Sequence, residues 1–339
     1  MSTRIAINGF GRIGRLFFRQ ALEHKELEIV AINDLGDPEQ LAYLLKYDSV
    51  YGRLEHEVSL EGAELRVGKN KIRMLSEKDP ARLPWKQLGI DIVVEATGVF
   101  ETYTKAAAHV EAGAKRVIIT APSKEEDGEQ GRTVLVGVNE QDLATCRISS
   151  NGSCTTNAAS PVIRILSEDP GILKAVLNTA HGYTATQGLV DGPTRGKDPR
   201  RGRAAAHNII PSTTGAAIAV SRVIPELEGK FDGIALRVPV IAGSVADITF
   251  LAKRKTSAEE INEILTKAAD SPAMRGILKV TSDPIVSSDI LGEPYGAIVD
   301  LSFTRVVDGD LVKVLSWYDN EWGYGTTLVK HVQAAAQTL

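Results

Sequence analysis

The feature that most constrains the fold of this 339-residue chain is a glycine-rich segment between a short strand and a helix. The segment NGFGRIG directly follows the apolar run RIAI and opens a helical pattern over Arg12–Glu23. In this context Gly9 permits a tight turn, Gly11 lets the backbone approach a pyrophosphate, and Gly14 lets helix and strand pack closely. The helix N-terminus supplies free N–H groups for phosphates. We therefore predict a dinucleotide site at this turn.

The first half of the chain alternates short apolar strands with helical segments, a pattern typical of βαβ units and a parallel sheet. A short antiparallel excursion is predicted over Glu64–Leu75. The fold class is therefore α/β, with an N-terminal Rossmann-type dinucleotide-binding domain over residues 1–152. The predicted strands are Arg4–Ile7, Glu28–Ile32, Ile90–Glu95 and Arg116–Thr120, and the later helices are Pro38–Tyr47 and Thr102–Ala112.

After residue 152 the strand patterns lengthen and few helical patterns separate them. We predict an α+β catalytic domain over residues 153–324 with a mostly antiparallel sheet. A C-terminal helix over residues 325–339 is expected to pack back on the first domain. Gln187–Arg203 is expected to be a functional loop, because loops of this length without a pattern of their own are usually functional or disordered. The predicted strands are Leu173–Thr179, Gly233–Val240, Ser244–Ala252, Tyr295–Asp300 and Leu311–Tyr318.

An acidic residue, Asp34, ends the second predicted strand about 20 residues after the last glycine of the turn. A carboxylate at this place accepts hydrogen bonds from the adenosine ribose hydroxyls and repels a 2′-phosphate. The sequence therefore favours NAD over NADP as the cofactor.

Composition narrows the function classes further. A formal net charge of −4 gives no reason to expect nucleic-acid binding. No apolar run is long enough to cross a bilayer, and no secretory leader is recognisable. The chain has two cysteines, Cys146 and Cys154, which is no disulfide framework. We expect a cytoplasmic protein without membrane association, and no metal site is predicted.

The stretch SNGSCTTN places Cys154 among small polar residues at an expected helix N-terminus. Backbone N–H groups there can lower the pKa of a thiol and stabilise an oxyanion. Cys146 is interpreted as a buried small hydrophobe. Pro161 is expected to kink or interrupt the helix. A nucleophilic thiol also needs a base, and His181, after the apolar strand Ala175–Thr179, is a candidate. The other five histidines are interpreted as surface or loop residues.

Hydroxyls and arginines recur in patterns typical of phosphate sites. Thr184 and Thr186 are expected to point to one face of an extended segment. Arg201 and Arg203 close the long loop, while Arg200 is interpreted as a residue that solvates the loop or forms salt bridges between subunits. Further candidates are Arg237 and the hydroxyl-rich turn containing Thr214 and Gly215.

Taken together, these residues resemble the phosphorylating glyceraldehyde-3-phosphate dehydrogenase family from end to end. The matching blocks are INGFGRIGR, AINDL, LKYDS, VEATGVF, GAKRVIIT, SNGSCTTN, TATQ, VDGP, NIIPSTTGAA, RVP and SWYDNEWGY, in that order. The resemblance implies NAD-dependent oxidation of D-glyceraldehyde 3-phosphate with inorganic phosphate to 1,3-bisphosphoglycerate, a glycolytic and gluconeogenic step. It also implies a homotetramer, with Gln187–Arg203 reaching a neighbouring subunit's cofactor site.

The resemblance also assigns roles to single residues. Cys154 is expected to form the thioester and His181 to serve as its base. Asn320, with Tyr324 nearby, is expected to hold the nicotinamide. The remaining cofactor residues are expected to be Gly9, Gly11, Arg12, Ile13, Gly14, Asp34, Thr97, Gly98 and Thr120. The substrate phosphate is assigned to Thr184, Thr186 and Arg237, and inorganic phosphate to Ser153, Thr155, Arg201, Thr214 and Gly215.

Some positions depart from the family pattern. Ala158 stands where a second cysteine is usual, and Gly152 where alanine is usual. His181 is followed by Gly182 and Tyr183 instead of the common Ala-Thr, and the segment 240–243 reads VIAG where a Thr-Pro-Asn type of stretch is expected. The long loop is one residue longer and contains Pro199. The expected nucleophile and base are both retained.

Three alternatives stay open. Erythrose-4-phosphate dehydrogenase shares the nucleophile motif but lacks the threonines of TATQ, so Thr184 and Thr186 favour the glyceraldehyde enzyme. A cofactor-binding regulatory protein would leave Cys154 unreactive. A cysteine hydrolase would have no use for the glycine turn or Asp34.

Overall fold

A computed structural model describes residues 2–194, 196 and 198–339. The chain divides into two compact units, which are Met1–Gly152 with Leu328–Leu339, and Ser153–Thr327. Two residues of the predicted loop, Arg195 and Lys197, lie outside the described residues. Within the described part of the chain, no helix combines the length and the apolar character that crossing a bilayer requires.

The first unit begins with alternating strands and helices. Its strands are β1 (Thr3–Asn8), β2 (Leu27–Asn33), β3 (Tyr47–Asp48), β4 (Gly52–Arg53), β5 (Val58–Glu61), β6 (Glu64–Val67), β7 (Asn70–Leu75), β8 (Ile92–Glu95), β9 (Arg116–Ile119), β10 (Arg132–Thr133) and β11 (Ile148–Ser150). Its helices are α1 (Arg12–Ala21), α2 (Pro38–Lys46), α3 (Trp85–Leu88) and α4 (Tyr103–Glu111), with 3-10 turns at Pro80–Arg82 and Glu140–Thr145.

The main sheet of this unit runs in the order β10-β11-β9-β8-β1-β2-β7-β6-β5. From β10 to β7 neighbouring strands are parallel, whereas β7, β6 and β5 pair antiparallel. The predicted Rossmann-type α/β domain and the antiparallel excursion over Glu64–Leu75 are both confirmed. The sheet is covered on both faces: Ile5 and Ile7 of β1 pack in one apolar core and Ala6 in another.

The second unit carries longer strands. Its helices are α5 (Cys154–Glu168), α6 (Ala216–Val223) and α7 (Ala258–Ala269), and α8 (Trp322–Ala336) begins in it. Its strands are β12 (Ile172–Gly182), β13 (Ile210–Thr213), β14 (Phe231–Val238), β15 (Ser244–Ala252), β16 (Leu278–Thr281), β17 (Ala297–Val307) and β18 (Leu311–Tyr318), with 3-10 turns at Pro199–Gly202 and Pro225–Leu227.

The sheet of the second unit runs β13-β14-β12-β15-β18-β17-β16. The β12–β14 and β16–β17 pairs are parallel and the other pairs are antiparallel, which confirms the predicted mostly antiparallel sheet. Helices α6 and α7 were not predicted from the sequence. The signal for α7 was present, because Ser257 caps it by accepting a hydrogen bond from the Glu260 N–H, and Ile261 and Leu265 form its buried stripe.

The expectation that Pro161 interrupts the helix is wrong. Helix α5 runs without a break for 15 residues and contains Pro161 in its interior. A proline inside a helix costs about 3 kcal/mol or more. Here every residue from Thr155 to Ile163 is buried, so apolar burial on both sides of the proline holds the helix together against that cost.

The C-terminal helix α8 begins at Trp322, earlier than residue 325. The Asp319 carboxylate explains the early start, since its Oδ1 accepts hydrogen bonds from the N–H groups of Glu321 and Trp322 at 2.9 Å each. Leu328 and Val332 from the later part of the helix belong to the apolar core of the first unit.

Candidate active site and cofactor loops

The glycine turn has the backbone geometry that its sequence predicts. Gly9 has φ +96°, and a Cβ there would lie 2.6 Å from the carbonyl carbon of Ala96. A Cβ on Gly14 would overlap the Gly9 carbonyl oxygen. Gly11 differs from both, because its Cβ would meet nothing within 4 Å. Gly11 is also the N-cap of α1, and no side chain caps that end. Open space therefore lies over uncapped helix N–H groups, as a bound pyrophosphate requires.

The other predicted cofactor residues of the first unit follow neighbouring parallel strands. Asp34 follows β2, Thr97 and Gly98 follow β8, and Thr120 follows β9. These strands are adjacent to β1 in the order β9-β8-β1-β2, so their carboxyl ends share one edge. The chain connects β1 to β2 on one side, and β8 lies on the other side. This is a topological switch point, where open parallel sheets bind their ligands. The residues present fit a dinucleotide.

Side chains at this edge are anchored. The Asp34 carboxylate accepts hydrogen bonds from the Phe10 N–H at 2.6 Å and the Gly36 N–H at 2.7 Å. Each carboxylate oxygen can accept more than one bond, so Asp34 can still receive a ribose hydroxyl. The Arg12 guanidinium pairs with Asp48. Arg12 and Ile13 are the first two residues of α1 and lie beside the glycine turn.

In the second unit, Cys154 is the first residue of α5. Ser153 is the N-cap: its hydroxyl accepts a hydrogen bond from the Thr156 N–H at 3.1 Å, and the Thr156 hydroxyl accepts one from the Ser153 N–H at 3.1 Å. This reciprocal capping box fixes the start of the helix. The sulfur therefore sits at a helix N-terminus, as the sequence predicts.

The structure brings Cys154 and His181 together. The Sγ–Nε2 distance is 3.3 Å, although the two residues lie 27 positions apart in the chain. His181 lies inside β12, two residues after the predicted strand end, and is 3% exposed. Burial, followed by the nearby Arg237 cation, lowers the pKa of His181 to about 3. The imidazole is therefore neutral at neutral pH, as a general base must be before it takes a proton, but a pKa this low also makes it a weak base.

The predicted lowering of the Cys154 pKa is wrong in its net direction. Burial raises the pKa of the Cys154 thiol, and this effect exceeds the lowering by the Arg237 charge and by hydrogen bonds from Thr155 and the helix N-terminus. Desolvation disfavours the thiolate. The thiol consequently depends on His181 to remove its proton.

Arg237 and a backbone carbonyl compete for the second nitrogen of His181. Nδ1 lies 2.6 Å from the Gly182 oxygen and 2.7 Å from Arg237 Nη1. Nδ1 can donate to the carbonyl or accept from the guanidinium, but it cannot do both. Only the first arrangement leaves Nε2 unprotonated and able to accept the thiol proton.

Tyr318 was missed by the sequence reading. Its buried hydroxyl lies 2.8 Å from the Thr155 hydroxyl and 2.8 Å from the Thr179 hydroxyl, and Thr179 donates to the Val245 carbonyl at 3.0 Å. Its position inside the block SWYDNEWGY was the only signal. The Thr155 hydroxyl is thereby tied into the protein directly beside Cys154.

Two of the candidate phosphate residues, Thr184 and Thr186, lie in one turn. The hydroxyls of Thr184 and Thr186 lie 2.9 Å apart, but the expected extended segment is wrong. The segment is a turn, closed by a hydrogen bond from the Gln187 N–H to the Thr184 carbonyl at 3.0 Å. The turn brings the two hydroxyls together without strand alternation.

Arg201 is positioned by Ser212, which the sequence reading did not single out. Arg201 Nε donates to the Ser212 hydroxyl at 3.0 Å. Thr214 and Gly215 lie at the N-terminus of α6, and the Thr214 hydroxyl accepts from the Ala216 N–H at 3.2 Å. Backbone N–H groups at this helix end and a fixed guanidinium are donors suited to an anion.

The loop between β12 and β13 folds back on itself. The Gly188 N–H donates to the Arg201 carbonyl at 2.9 Å, and Arg203 pairs with Asp191 at 2.9 Å. Arg200 pairs with Asp198 of the same loop at 2.8 Å, and its side chain is 58% exposed.

The segments that depart from the family pattern lie against each other. The Tyr183 N–H donates to the Val240 carbonyl at 3.0 Å. A Cβ on Gly182 would lie 3.1 Å from the same oxygen. The absence of a side chain at position 182 therefore lets the segment 240–243 (VIAG) lie close to the end of β12. Nearby, Asn320 Oδ1 accepts from the Gly243 N–H and the Ser244 hydroxyl at 3.0 Å each. Its amide orientation is therefore fixed, and Tyr324 is buried in α8.

The interpretation of five histidines as surface or loop residues holds for His24, His56 and His207 but is wrong for two. His109 and His331 are both 0% exposed. His331 lies 2.8 Å from the Ser149 hydroxyl and 3.0 Å from Asn151 Oδ1. Neither residue stands in a sequence context that indicates burial.

Family models and known proteins match both the N-terminal and the C-terminal part of the chain. Residues 3–103 match the family model described as "Glyceraldehyde 3-phosphate dehydrogenase, NAD binding domain", and residues 153–320 match the corresponding C-terminal domain. Glyceraldehyde-3-phosphate dehydrogenase of Streptomyces coelicolor is 49% identical over 332 residues, 97% of each chain. The proteins of that name from Mycolicibacterium smegmatis and Mycobacterium avium are each 48% identical and cover 100% of both chains. This chain belongs to the glyceraldehyde-3-phosphate dehydrogenase family.

Proposed function

We propose that this chain oxidises and phosphorylates D-glyceraldehyde 3-phosphate with NAD to give 1,3-bisphosphoglycerate, through a thioester on Cys154. The observation that carries the proposal is the 3.3 Å approach of His181 Nε2 to Cys154 Sγ at the start of α5. A nucleophile, a neutral base and a helix N-terminus for an oxyanion thereby meet at one place. Full-length relatives of that name support the substrate assignment.

In the proposed mechanism, His181 Nε2 takes the thiol proton and the sulfur adds to the aldehyde carbon. The N–H groups at the start of α5 stabilise the oxyanion, which takes back the proton held on His181 Nε2 and becomes a thiohemiacetal. NAD held by the glycine turn would supply the hydride acceptor, and His181, neutral again, would take the hydroxyl proton so that the thiohemiacetal becomes a thioester. Asn320 and Tyr324 are the proposed contacts to the nicotinamide.

Arg237 connects substrate recognition with the state of His181. Its guanidinium is the proposed partner of the substrate phosphate, together with Thr184 and Thr186. A dianion draws a guanidinium away from a neutral imidazole, because a charge-assisted bidentate bond is stronger than a bond to Nδ1. The Nδ1–H of His181 is then free to donate to the Gly182 carbonyl, and Nε2 becomes the acceptor that the reaction needs.

The residues proposed to bind inorganic phosphate act in the last step. Inorganic phosphate, proposed to bind Arg201, Thr214 and Gly215 with the Ser153 and Thr155 region, attacks the thioester carbon. The carbon–sulfur bond breaks, the acyl phosphate leaves, and the thiolate on Cys154 is restored. Two sets of phosphate-binding residues are required, because the substrate carries a phosphate group and the second nucleophile is inorganic phosphate itself.

Initial rates with NAD, glyceraldehyde 3-phosphate and phosphate test the proposal. We expect phosphate-dependent NADH formation that Cys154→Ser abolishes, since an alcohol is a far weaker nucleophile than a thiolate. Phosphate-independent turnover that prefers erythrose 4-phosphate would support the alternative dehydrogenase. A Cys154 that resists iodoacetamide at neutral pH would support a regulatory protein, and NAD-independent ester hydrolysis a cysteine hydrolase.

We infer a homotetramer as the working assembly. On β12 and β14 of the second unit, Val176 is 59% exposed and Ile234 is 54% exposed, while their chain neighbours Leu177 and Ala235 are buried. The exposed face of a sheet with apolar side chains favours a second copy of the chain. Light scattering after size exclusion should give a tetramer, and Ile234→Asp should dissociate it. A wild-type monomer at micromolar concentration would contradict the inference.

We propose the cytoplasm as the compartment. Both Cys146 and Cys154 are free thiols, and the mechanism needs Cys154 reduced, as a reducing compartment keeps it. Fractionation with a tagged chain tests this assignment, and enrichment in an oxidising compartment would contradict it.

A further inference from the structure

A buried carboxylate lies behind the cofactor loops and has no part in the proposed chemistry. Glu95, the last residue of β8, is 2% exposed. Its Oε1 accepts hydrogen bonds from the N–H of Thr97 at 2.9 Å and from the hydroxyl of Thr97. Its Oε2 accepts from Asn8 Nδ2 at 2.6 Å and lies 3.0 Å from His109 Nε2.

The proton on His109 can be placed from its other partner. Trp85 Nε1 lies 3.0 Å from His109 Nδ1, and an indole nitrogen can only donate. Nδ1 is therefore the acceptor, so Nε2 carries the hydrogen and donates to Glu95. All four partners of the carboxylate are then donors, an arrangement that only a carboxylate satisfies in full.

The same network extends to the end of β2. Asn8 Oδ1 accepts from Asn33 Nδ2 at 2.7 Å, and the Asn33 side chain is bonded to the backbone of Glu77 on both its oxygen and its nitrogen. Asn33 immediately precedes Asp34, and Asn8 immediately precedes Gly9. One carboxylate thus joins the ends of the three strands from which the cofactor residues emerge.

We propose that Glu95 is a positioning residue that holds the glycine turn and the Thr97–Gly98 turn in binding geometry before NAD arrives. The backbone at Gly9 packs against Ala96 and Thr97 with no room for a Cβ, so a shift of either turn moves the other. Because both turns are ordered before NAD binds, binding does not include the free-energy cost of ordering them. The inference rests on the proposed assignment of these turns to the cofactor.

Glu95→Gln is the first test, with Asp91→Asn as the matched control. Asp91 precedes the opposite end of β8, where its carboxylate accepts from the Arg4 N–H at 2.8 Å and pairs with Lys115 at 2.7 Å. Each variant removes one carboxylate that bonds β1 at one end of β8, but only Glu95 lies at the end with the cofactor turns. In Glu95→Gln the amide NH₂ faces the donors on one side, and the tight contact of Gly9 with Ala96 and Thr97 passes the loosening to the other turn.

For the full chain, calorimetric titration with NAD should show a dissociation constant raised at least about tenfold in Glu95→Gln and changed by less than about twofold in Asp91→Asn. Hydrogen exchange without NAD should accelerate at residues 9–12 and 97–98 only in Glu95→Gln. A folded Glu95→Gln chain with wild-type NAD affinity and wild-type exchange overturns the proposal. If wild-type protein does not bind NAD, the cofactor assignment itself fails.

A second pair of variants keeps the test decisive if Glu95→Gln does not fold. His109→Gln retains a donor for Glu95 and an acceptor for Trp85, whereas His109→Leu removes both. We expect NAD affinity near wild type in His109→Gln and several-fold weaker in His109→Leu, with faster exchange at residues 97–98. Equal NAD affinity in the two variants contradicts the proposed role of the network.

Discussion

Gly11→Ala and Gly14→Ala, three positions apart in the glycine turn, should change different properties: the first should weaken NAD binding and the second should lower stability. In Gly11→Ala the new methyl group meets no protein atom within 4 Å, and the backbone at φ −68° and ψ −160° suits alanine. Alanine lowers the conformational entropy of the unfolded chain, which stabilises the folded protein by about 0.4–1 kcal/mol. Alanine is also a poorer N-cap residue than glycine, which destabilises the folded protein by a similar amount. The apoprotein should therefore keep its stability. The methyl group does fill the space over the helix N–H groups, so NAD should bind about 100-fold more weakly.

The effect on ligand-induced stability follows from mass action. NAD at 100 times its wild-type dissociation constant stabilises the folded protein by about 2.7 kcal/mol, and a 100-fold weaker site leaves about 0.4 kcal/mol. Thermal unfolding with and without NAD measures this difference. Gly14→Ala should instead destabilise the apoprotein by about 1–3 kcal/mol or more, because its Cβ overlaps the Gly9 carbonyl oxygen. The reasoning fails if Gly11→Ala retains the full NAD-induced stabilisation or if Gly14→Ala unfolds like wild type.

Three further outcomes are expected. Replacing Arg237 by Met removes a charge that lowers the pKa of Cys154. The pKa of Cys154 should therefore rise further, and its labelling by iodoacetamide at neutral pH should become slower. An unchanged pH profile of labelling would count against an effect of Arg237 on Cys154. Burial lowers the pKa of His331 to about 3 from 6.5, so the unfolded state binds more protons between these values and the free energy of unfolding should fall as pH drops through that window. Urea unfolding at pH 7 and pH 5 should show a smaller loss for His331→Gln than for wild type, and equal losses would refute this. Asp34→Ser should narrow the preference for NAD over NADP in initial rates, since a 2′-phosphate then meets no like charge; an unchanged ratio would show that other residues set it.

Local sequence determined the features that depend on adjacent residues. The turn at Gly9–Gly14 needs only a strand before it, a helix after it and glycine where a side chain would clash, and all three are readable in one short segment. The same holds for Cys154, because a helix start is set by the capping residue Ser153 and its neighbours. Parallel and antiparallel sheet classes followed from the spacing of apolar runs.

Only the tertiary structure decided which distant side chains meet and how burial alters them. Cys154 and His181 come from separate elements, and Tyr318 joins Thr155 across 163 residues. Desolvation reversed the expected change in the pKa of Cys154, because the loss of water around the sulfur exceeds the help of the helix N-terminus. Burial likewise kept α5 continuous through Pro161. Such effects depend on the atoms packed around a residue, and these come from remote parts of the chain that no local pattern specifies.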